Sequence, residues 1–268
     1  MTKIDFNSKA ATYEELGLVQ KLTSDILLNL ASVNDGEDVL DLGCGPGGVT
    51  RKITEMTGGS VVGVDVSVGM INEASTRHQD IPNLSFYVKD ACDLGFSDCF
   101  DVIYCNSAFQ WFQNPELVVR ECYAALKNGG RMAMQAPATA NYCPAFLTAI
   151  NKVSSDPATG GVFKTWKNPW VFMNSAEDYA RLFEGAGFKV VYSQLHPEFN
   201  YFSAEQVYGV FQSGAENGYL NQEFYSAPLT EEYISNFRRL VREAIKEQAD
   251  ANSMVMLEFT RIYLVAEK

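Results

Sequence analysis

Histidine is scarce in this chain: 268 residues include only His78 and His196. So few imidazoles argue against a site built on histidine bases or a histidine-rich metal centre. The six cysteines stand at positions 44, 92, 99, 105, 122 and 143, and none forms a C-x-x-C pair. With so few histidines that spacing argues against a zinc cluster, so no metal is assigned and the thiols are expected to be reduced and mostly buried. Basic residues are also in deficit, with 21 Lys and Arg against 33 Asp and Glu and a net charge of −12. A nucleic-acid binder has the opposite balance, so no nucleic-acid partner is expected. The sequence contains no apolar run of about 18 residues, the length a membrane-spanning helix needs. Met1 to Ala10 has no apolar stretch of the kind a secretory signal carries. The expectation is a soluble cytoplasmic protein with no membrane partner, monomeric by default.

What the chain does have is enough apolar material, 47% of its residues, for one large α/β domain or a domain with an insertion. It is organised around Val39-Leu40-Asp41-Leu42-Gly43-Cys44-Gly45-Pro46-Gly47-Gly48. A short apolar run ends at an acid, then a turn with glycine at four of six positions leads into a helical pattern from Val49 to Met56. The turn lets the backbone press against a ligand, and the helix start presents free N–H groups to its electron-rich atoms. Gly43, Gly45 and Gly48 also fit the dinucleotide pattern G-x-G-x-x-G, so the turn alone leaves the ligand open.

The flanking chain reads as alternating strands and helices. Apolar positions Leu16, Val19, Leu22, Ile26 and Leu30 predict a helix over Tyr13–Leu30, or two short ones broken near Gly17. Strands are expected at Asp38–Leu42, Ser60–Val66, Leu84–Asp90, Phe100–Asn106 and Arg131–Ala136. Helices are expected from Val68 to about Arg77 and from Pro115 to about Lys127, the latter stopped by Asn128-Gly129-Gly130. This order implies parallel βαβ units, with a ligand at the carboxyl ends of the strands. Asp41, Asp65 and Asp90 all fall at such ends. Residues 138–173 read as loop-rich. A helix capped by Ser175 and running to Gly187, a strand at Phe188–Tyr192, helices at Ser203–Gly214 and Thr230–Gln248, and a last strand at Met254–Ala266 complete the chain.

With Asp41-Leu-Gly-Cys-Gly-Pro-Gly, Asp65 after the second strand, Asp90-Ala91 after the third and Asn106 after the fourth, the chain resembles the class I S-adenosylmethionine-dependent methyltransferases. The likeness covers about residues 36–137 closely and the last strand more loosely. It implies a three-layer, Rossmann-like α/β fold with a seven-stranded sheet whose last strand is antiparallel. It also implies one methyltransferase domain over 1–268, with an N-terminal helical lid (1–30), a cofactor-binding core (36–137) and a helical substrate cap inserted late (194–253). By position, Asp41 and the Gly43–Gly45 turn would line the methionine part of S-adenosylmethionine. Asp65 would meet the ribose, the adjoining Val66 would touch the cofactor, Met70 would pack on the adenine, Asp90 and Ala91 would hold its edge, and the Asn106 carbonyl would face the methionine ammonium.

Asn106-Ser107-Ala108-Phe109-Gln110-Trp111-Phe112 and Met134-Gln135-Ala136-Pro137 are similar to segments of small-molecule carboxyl methyltransferases of the trans-aconitate, malonyl-carrier-protein and juvenile hormone acid types. The segment Tyr13-x-x-x-Gly17-x-Val19-Gln20 resembles that group as well. It implies that Gln110 and Trp111 sit beside the transferred methyl and that Tyr13 and Gln20 face the active site. A carboxylate acceptor is ionised at neutral pH and needs no general base, which suits a chain with two histidines. The expected reaction is methyl transfer to a carboxylate oxygen of a small molecule. Transfer to a phenol, amine or carbon is the alternative within the class. A nicotinamide-dependent dehydrogenase, or a module that binds the cofactor without catalysis, are the alternatives outside it. Arg238, Arg239 and Arg242 share one predicted helix, as cations for an acidic substrate or as a solvated stripe. The aromatic residues of 194–253 could line a substrate pocket or pack helices on the core.

Overall fold

The computed structural model describes residues 23–268. Residues 23–31 are helical (α1), and β1 (Val39–Leu42) is buried along its whole length. β2 (Val61–Asp65), β3 (Leu84–Val88), β4 (Phe100–Asn106), β5 (Leu126–Pro137), β6 (Lys189–Ser203) and β7 (Met254–Glu267) complete a seven-stranded sheet in the order β3-β2-β1-β4-β5-β7-β6. β1 lies parallel to both of its neighbours, with Val39 opposite Val61 on one side and Val102 on the other. β5 and β7 run antiparallel, with Gln135 opposite Tyr263. The expected sheet, last strand reversed, is the one observed. Its order changes direction between β1 and β4, where open α/β sheets leave a crevice at the strand ends.

The burial of alternate residues explains the layers. Leu40, Leu42, Ile103, Cys105, Met132 and Met134 enter one apolar cluster with Val118, Val119 and Cys122 of α4 (Pro115–Ala125) and with Phe183. Val39, Val102, Tyr104 and Ala133 enter another, with Leu27, Leu28 and Ala31 of α1 and Ile53 of α2 (Gly48–Ile53). Side chains two apart share a face of a strand, so one strand sequence feeds both cores. Local signals set the helix starts. Ser67 accepts from the Met70 N–H at the head of α3 (Val68–Arg77), and Asn114 accepts from Leu117 N ahead of Pro115, the first residue of α4.

Among the described residues, the chain forms two compact units. One holds residues 23–140, 171–196 and 261–268; the other holds 141–170 and 197–260. The second unit corrects the expectation of a loop-rich 138–173. It contains α5 (Pro144–Ser155) and α6 (Gly160–Phe163). Pro144 does not interrupt a helix here: it is the first residue of α5, where its missing N–H has no partner to lose. Ala145, Phe146, Ala149, Ile150 and Val153 give that helix its buried face.

α7 (Ala176–Gly185) belongs to the first unit, and α8 (Ala204–Ser213), α9 (Glu216–Tyr219) and α10 (Glu231–Lys246) to the second. Two further boundaries differ from expectation. The sixth strand continues past Tyr192 to Ser203, because an edge strand accommodates Pro197. Asn128-Gly129-Gly130 lies within β5, as a register shift opposite β4 with Gly129 at φ 79°, while α4 ends earlier at Ala125. In the second unit Phe211, Tyr219 and Phe237 pack ring on ring, so these aromatics build the interior of that unit.

Candidate active site

The site is assembled at the carboxyl ends of β1, β2 and β4. Asp41 stands third in β1 and is 2% exposed. Thr50, from the first turn of α2, donates to Asp41 Oδ2 at 2.7 Å. Burial, reinforced by the nearby Asp65 charge and opposed by the Thr50 hydrogen bond, raises the Asp41 carboxyl from 3.8 to about 7. The Gly43 N–H donates to the Val64 carbonyl at 2.8 Å, which ties the glycine turn to the end of β2. A methyl group placed on Gly43 would meet Ala108 Cβ at 2.4 Å. The loop after β4 therefore lies directly on the turn, and the sequence needs glycine there.

Asp65, the last residue of β2, holds the turn from the other side. Its Oδ2 accepts from the Gly45 N–H at 3.0 Å and its Oδ1 from Ser67 N at 2.8 Å. Among the described residues, chain neighbours apart, no atom lies within 4 Å of a Cβ built on Gly45. The turn thus presents an open backbone surface beside a carboxylate that keeps lone pairs for further donors. Val66 and Met70 follow, 70% and 43% exposed, as apolar surface next to that carboxylate. Asp90 and Ala91 stand just past the end of β3, where Asp90 Oδ1 accepts from Cys92 N at 2.8 Å.

Asn106, Ser107 and Gln110 belong to a connected polar group after β4. Asn106 is opposite Gln135 across the parallel β4–β5 pair. The Gln135 amide, fully buried, donates to Asn106 Oδ1 at 2.7 Å and to Ser107 Oγ at 2.6 Å, and the Gln135 carbonyl accepts from Ser107 N at 2.9 Å. Ser107 has φ 56°, a left-handed conformation that is rare outside glycine. Gln110 Nε2 donates to the Ser107 carbonyl at 2.9 Å, whereas its buried Oε1 has no partner among the described residues. Gln110 and Trp111 share the 3-10 turn Phe109–Trp111.

The structure therefore brings Asp41, Gly43, Gly45, Asp65, Asn106 and Gln110 to one end of the sheet, with Val66, Met70, Asp90 and Ala91 along the neighbouring strand ends. Tyr13 and Gln20 lie outside the described residues. Sequence reading missed Thr50 and Arg261, and gave no role to Ser107 and Gln135 within the two segments it singled out. Gln135 interrupts the apolar run of β5, and Arg261 is a buried cation in β7 that donates to Gln135 Oε1 at 3.2 Å. A polar residue inside an otherwise apolar strand was the available signal. His78 caps the end of α3 and His196 lies on β6 against Tyr263. Cys44 and Cys105 are pushed up by burial, so both remain thiols and neither is an activated nucleophile. The three arginines of α10 are each paired with an acid, Arg238 with Glu216, Arg239 with Glu243 and Arg242 with Glu205.

Comparison with known proteins narrows the ligand. A family model described as a methyltransferase domain matches residues 40–134, from β1 into β5. A methyltransferase of Schizosaccharomyces pombe that has no assigned substrate is 30% identical over 70% of this chain and 72% of its own length. The chain belongs to the class I S-adenosylmethionine-dependent methyltransferases. The malonyl-acyl-carrier-protein O-methyltransferase of Bacillus cereus is 33% identical over 47% of the chain. That match spans 48%, about half, of the relative's length. A trans-aconitate 2-methyltransferase of Deinococcus radiodurans is 31% identical over 56% of the chain and 57% of its own length. The solved Haemonchus contortus phosphoethanolamine N-methyltransferase 2, in complex with phosphomonomethylethanolamine and S-adenosylhomocysteine, shares the fold. Its TM-score is 0.58 at 18% identity, covering 98% of this chain and 57% of that one.

S-adenosylmethionine is the cofactor of this family, and the site's chemistry fits it. The open turn suits an amino-acid end, the Asp65 carboxylate a diol, and the apolar Val66–Met70 surface a base. No pyrophosphate is needed to account for the turn. The nicotinamide alternative falls away with the family assignment. No helix among the described residues is long and apolar enough to cross a membrane.

Proposed function

We propose that this chain methylates an oxygen of a small-molecule carboxylic acid. The cofactor supplies an electrophilic methyl on a sulfonium. The protein's work is then alignment and exclusion of water, because an in-line displacement on an ionised carboxylate requires no proton removal. In this reading Asp41, Gly43, Gly45 and the Asn106 carbonyl hold the methionine end. Asp65 accepts from the ribose hydroxyls, Val66 and Met70 cover the adenine, and Asp90 and Ala91 fix its edge. Gln110 and Trp111, with Tyr13 and Gln20, stand beside the acceptor.

The observation that carries the carboxylate reading is the composition of the described site around Gln110. Asn106, Ser107 and Gln110 offer amides and a hydroxyl, with Gln135 and Arg261 behind them. None of these is a base, and His78 and His196 are held elsewhere, against Phe86 and Tyr263. The names of the Bacillus cereus and Deinococcus radiodurans relatives, a malonyl and a trans-aconitate methyltransferase, agree with an acid substrate.

A second reading has its own support. Gln110 Oε1 is a buried acceptor in want of a donor, and an ionised carboxylate brings none. A phenol or amine acceptor would bring an O–H or N–H. The deciding experiment follows methyl transfer from labelled S-adenosylmethionine to a panel of mono-, di- and tricarboxylic acids, phenols and amines. Labelled methyl esters are the expected products. Turnover confined to phenols or amines would overturn the carboxylate reading and leave the cofactor reading standing.

A further inference from the structure

The buried Gln135 amide is engaged at both ends by protein partners. Arg261 Nη1 donates to Oε1 at 3.2 Å. A guanidinium has only donors, so this contact decides which end of the amide is oxygen. Nε2 must then face the loop, and it donates to Asn106 Oδ1 at 2.7 Å and Ser107 Oγ at 2.6 Å. The backbone adds a third tie, from Ser107 N to the Gln135 carbonyl at 2.9 Å. β7 provides the clamp by its register. Arg261 is opposite Pro137 and Tyr263 opposite Gln135, which puts Arg261 on the same face and one diagonal step away.

The loop held in this way is under strain and in close contact with the cofactor cradle. Ser107 has φ 56°, a conformation that persists only where its surroundings impose it. Ala108 packs on Gly43 so closely that a methyl on Gly43 would stand 2.4 Å from Ala108 Cβ. Any relaxation of Ser107 would move Ala108 against the turn and carry the Asn106 carbonyl with it. At the other end Met70 lies on α3, Asp90 just past β3, and Asp65 meets the turn at Gly45 and not at Gly43; none of the three bonds to Gln135, Ser107 or Arg261.

We propose that Gln135, oriented by Arg261, is a positioning residue that holds the Asn106–Ala108 loop on the glycine turn and so sets the methionine end of the cofactor site without touching the adenosine end. The inference rests on the cofactor placement proposed above.

Two probes separate the ends. S-adenosylhomocysteine carries the amino-acid end, and 5′-methylthioadenosine lacks it. Isothermal titration of Gln135→Met and of Ser107→Ala is expected to weaken S-adenosylhomocysteine, by about tenfold for Gln135→Met, where two side-chain bonds to the loop are lost. Affinity for 5′-methylthioadenosine should stay within about twofold of wild type. The double variant should bind S-adenosylhomocysteine no more weakly than Gln135→Met alone, since residues of one network are non-additive. Ser107 is exposed, so Ser107→Ala gives a reading even if Gln135→Met does not fold. Equal loss for both probes, no loss for either, or additive losses in the double variant would overturn the positioning role. A wild-type protein that binds neither probe would instead overturn the cofactor placement.

Discussion

The Thr50 hydroxyl donates a 2.7 Å hydrogen bond to Asp41 Oδ2 inside the protein, with Thr50 fully buried and Asp41 only 2% exposed. One neutral donor is modest compensation for a carboxylate removed from water. Burial therefore wins, and the Asp41 carboxyl titrates near 7 instead of its ordinary 3.8.

The consequence for stability has a definite sign. A group bound more tightly to its proton in the folded state stabilises the fold at low pH, and that contribution is lost as pH rises through the folded value of about 7. Between about pH 5 and 7 the slope from this group is at most about −1.4 kcal/mol per pH unit. Asp41→Asn removes it. Thermal unfolding across this range should show the variant gaining on wild type as pH rises. Parallel curves for the two proteins would contradict a proton on Asp41.

Asp65 joins two backbone donors, Gly45 N and Ser67 N, at the mouth of the turn. In the proposed site it also accepts from the ribose hydroxyls. Charge-assisted bonds of this kind are worth about 1.5–3 kcal/mol each, so Asp65→Ala should weaken S-adenosylhomocysteine about tenfold to a hundredfold. Calorimetric titration measures this directly, and wild-type affinity in Asp65→Ala would remove Asp65 from the site.

The cradle was legible in the sequence for a physical reason. Asp41, the glycines and Asp65 are adjacent to strand ends, and strand ends can be found from apolar runs and turn residues alone. Gln135 and Arg261 were not legible as partners, because their contact depends on the β5–β7 register over 126 residues of separation. Pro144 illustrates the opposite error. The same residue that breaks a helix interior begins one at its first position, and only the packing of Phe146 and Ile150 decides between the two.

Gly43 is required by two independent constraints, φ 75° and the approach of Ala108. Gly43→Ala should cost about 1–3 kcal/mol of stability through overpacking and backbone strain, with cofactor binding weakened as the loop is displaced. Adding Ala108→Gly removes the clash and leaves the dihedral strain. The double variant should recover part of the melting temperature lost by Gly43→Ala. No recovery would mean that the contact with Ala108 has no part in the cost.

Arg131 fastens the end of α1 to the sheet. Its guanidinium donates to Glu37 Oε1 at 2.9 Å and Oε2 at 2.8 Å, and to the backbone carbonyls of Ala31 and Ser32, each at 2.6 Å. The hydrogen bond from Arg131, helped by the Asn34 N–H, lowers the Glu37 carboxyl from 4.5 to about 2 against the opposing effect of burial. A lowered carboxyl stabilises the fold above its unfolded value of 4.5, and that stabilisation is lost as pH falls toward about 2. Glu37→Gln should therefore cost about 1–2 kcal/mol near neutral pH, and the difference from wild type should close below about pH 4. The slope is opposite to that of Asp41 and acts at lower pH, between about 2 and 4.5 against 3.8 to about 7, so the two groups act on stability from the acid and neutral sides. Denaturant unfolding of both single variants from pH 3 to 8 tests the pair. A Glu37→Gln deficit that persists unchanged at low pH would show that lost packing, and not the charge on Glu37, accounts for it.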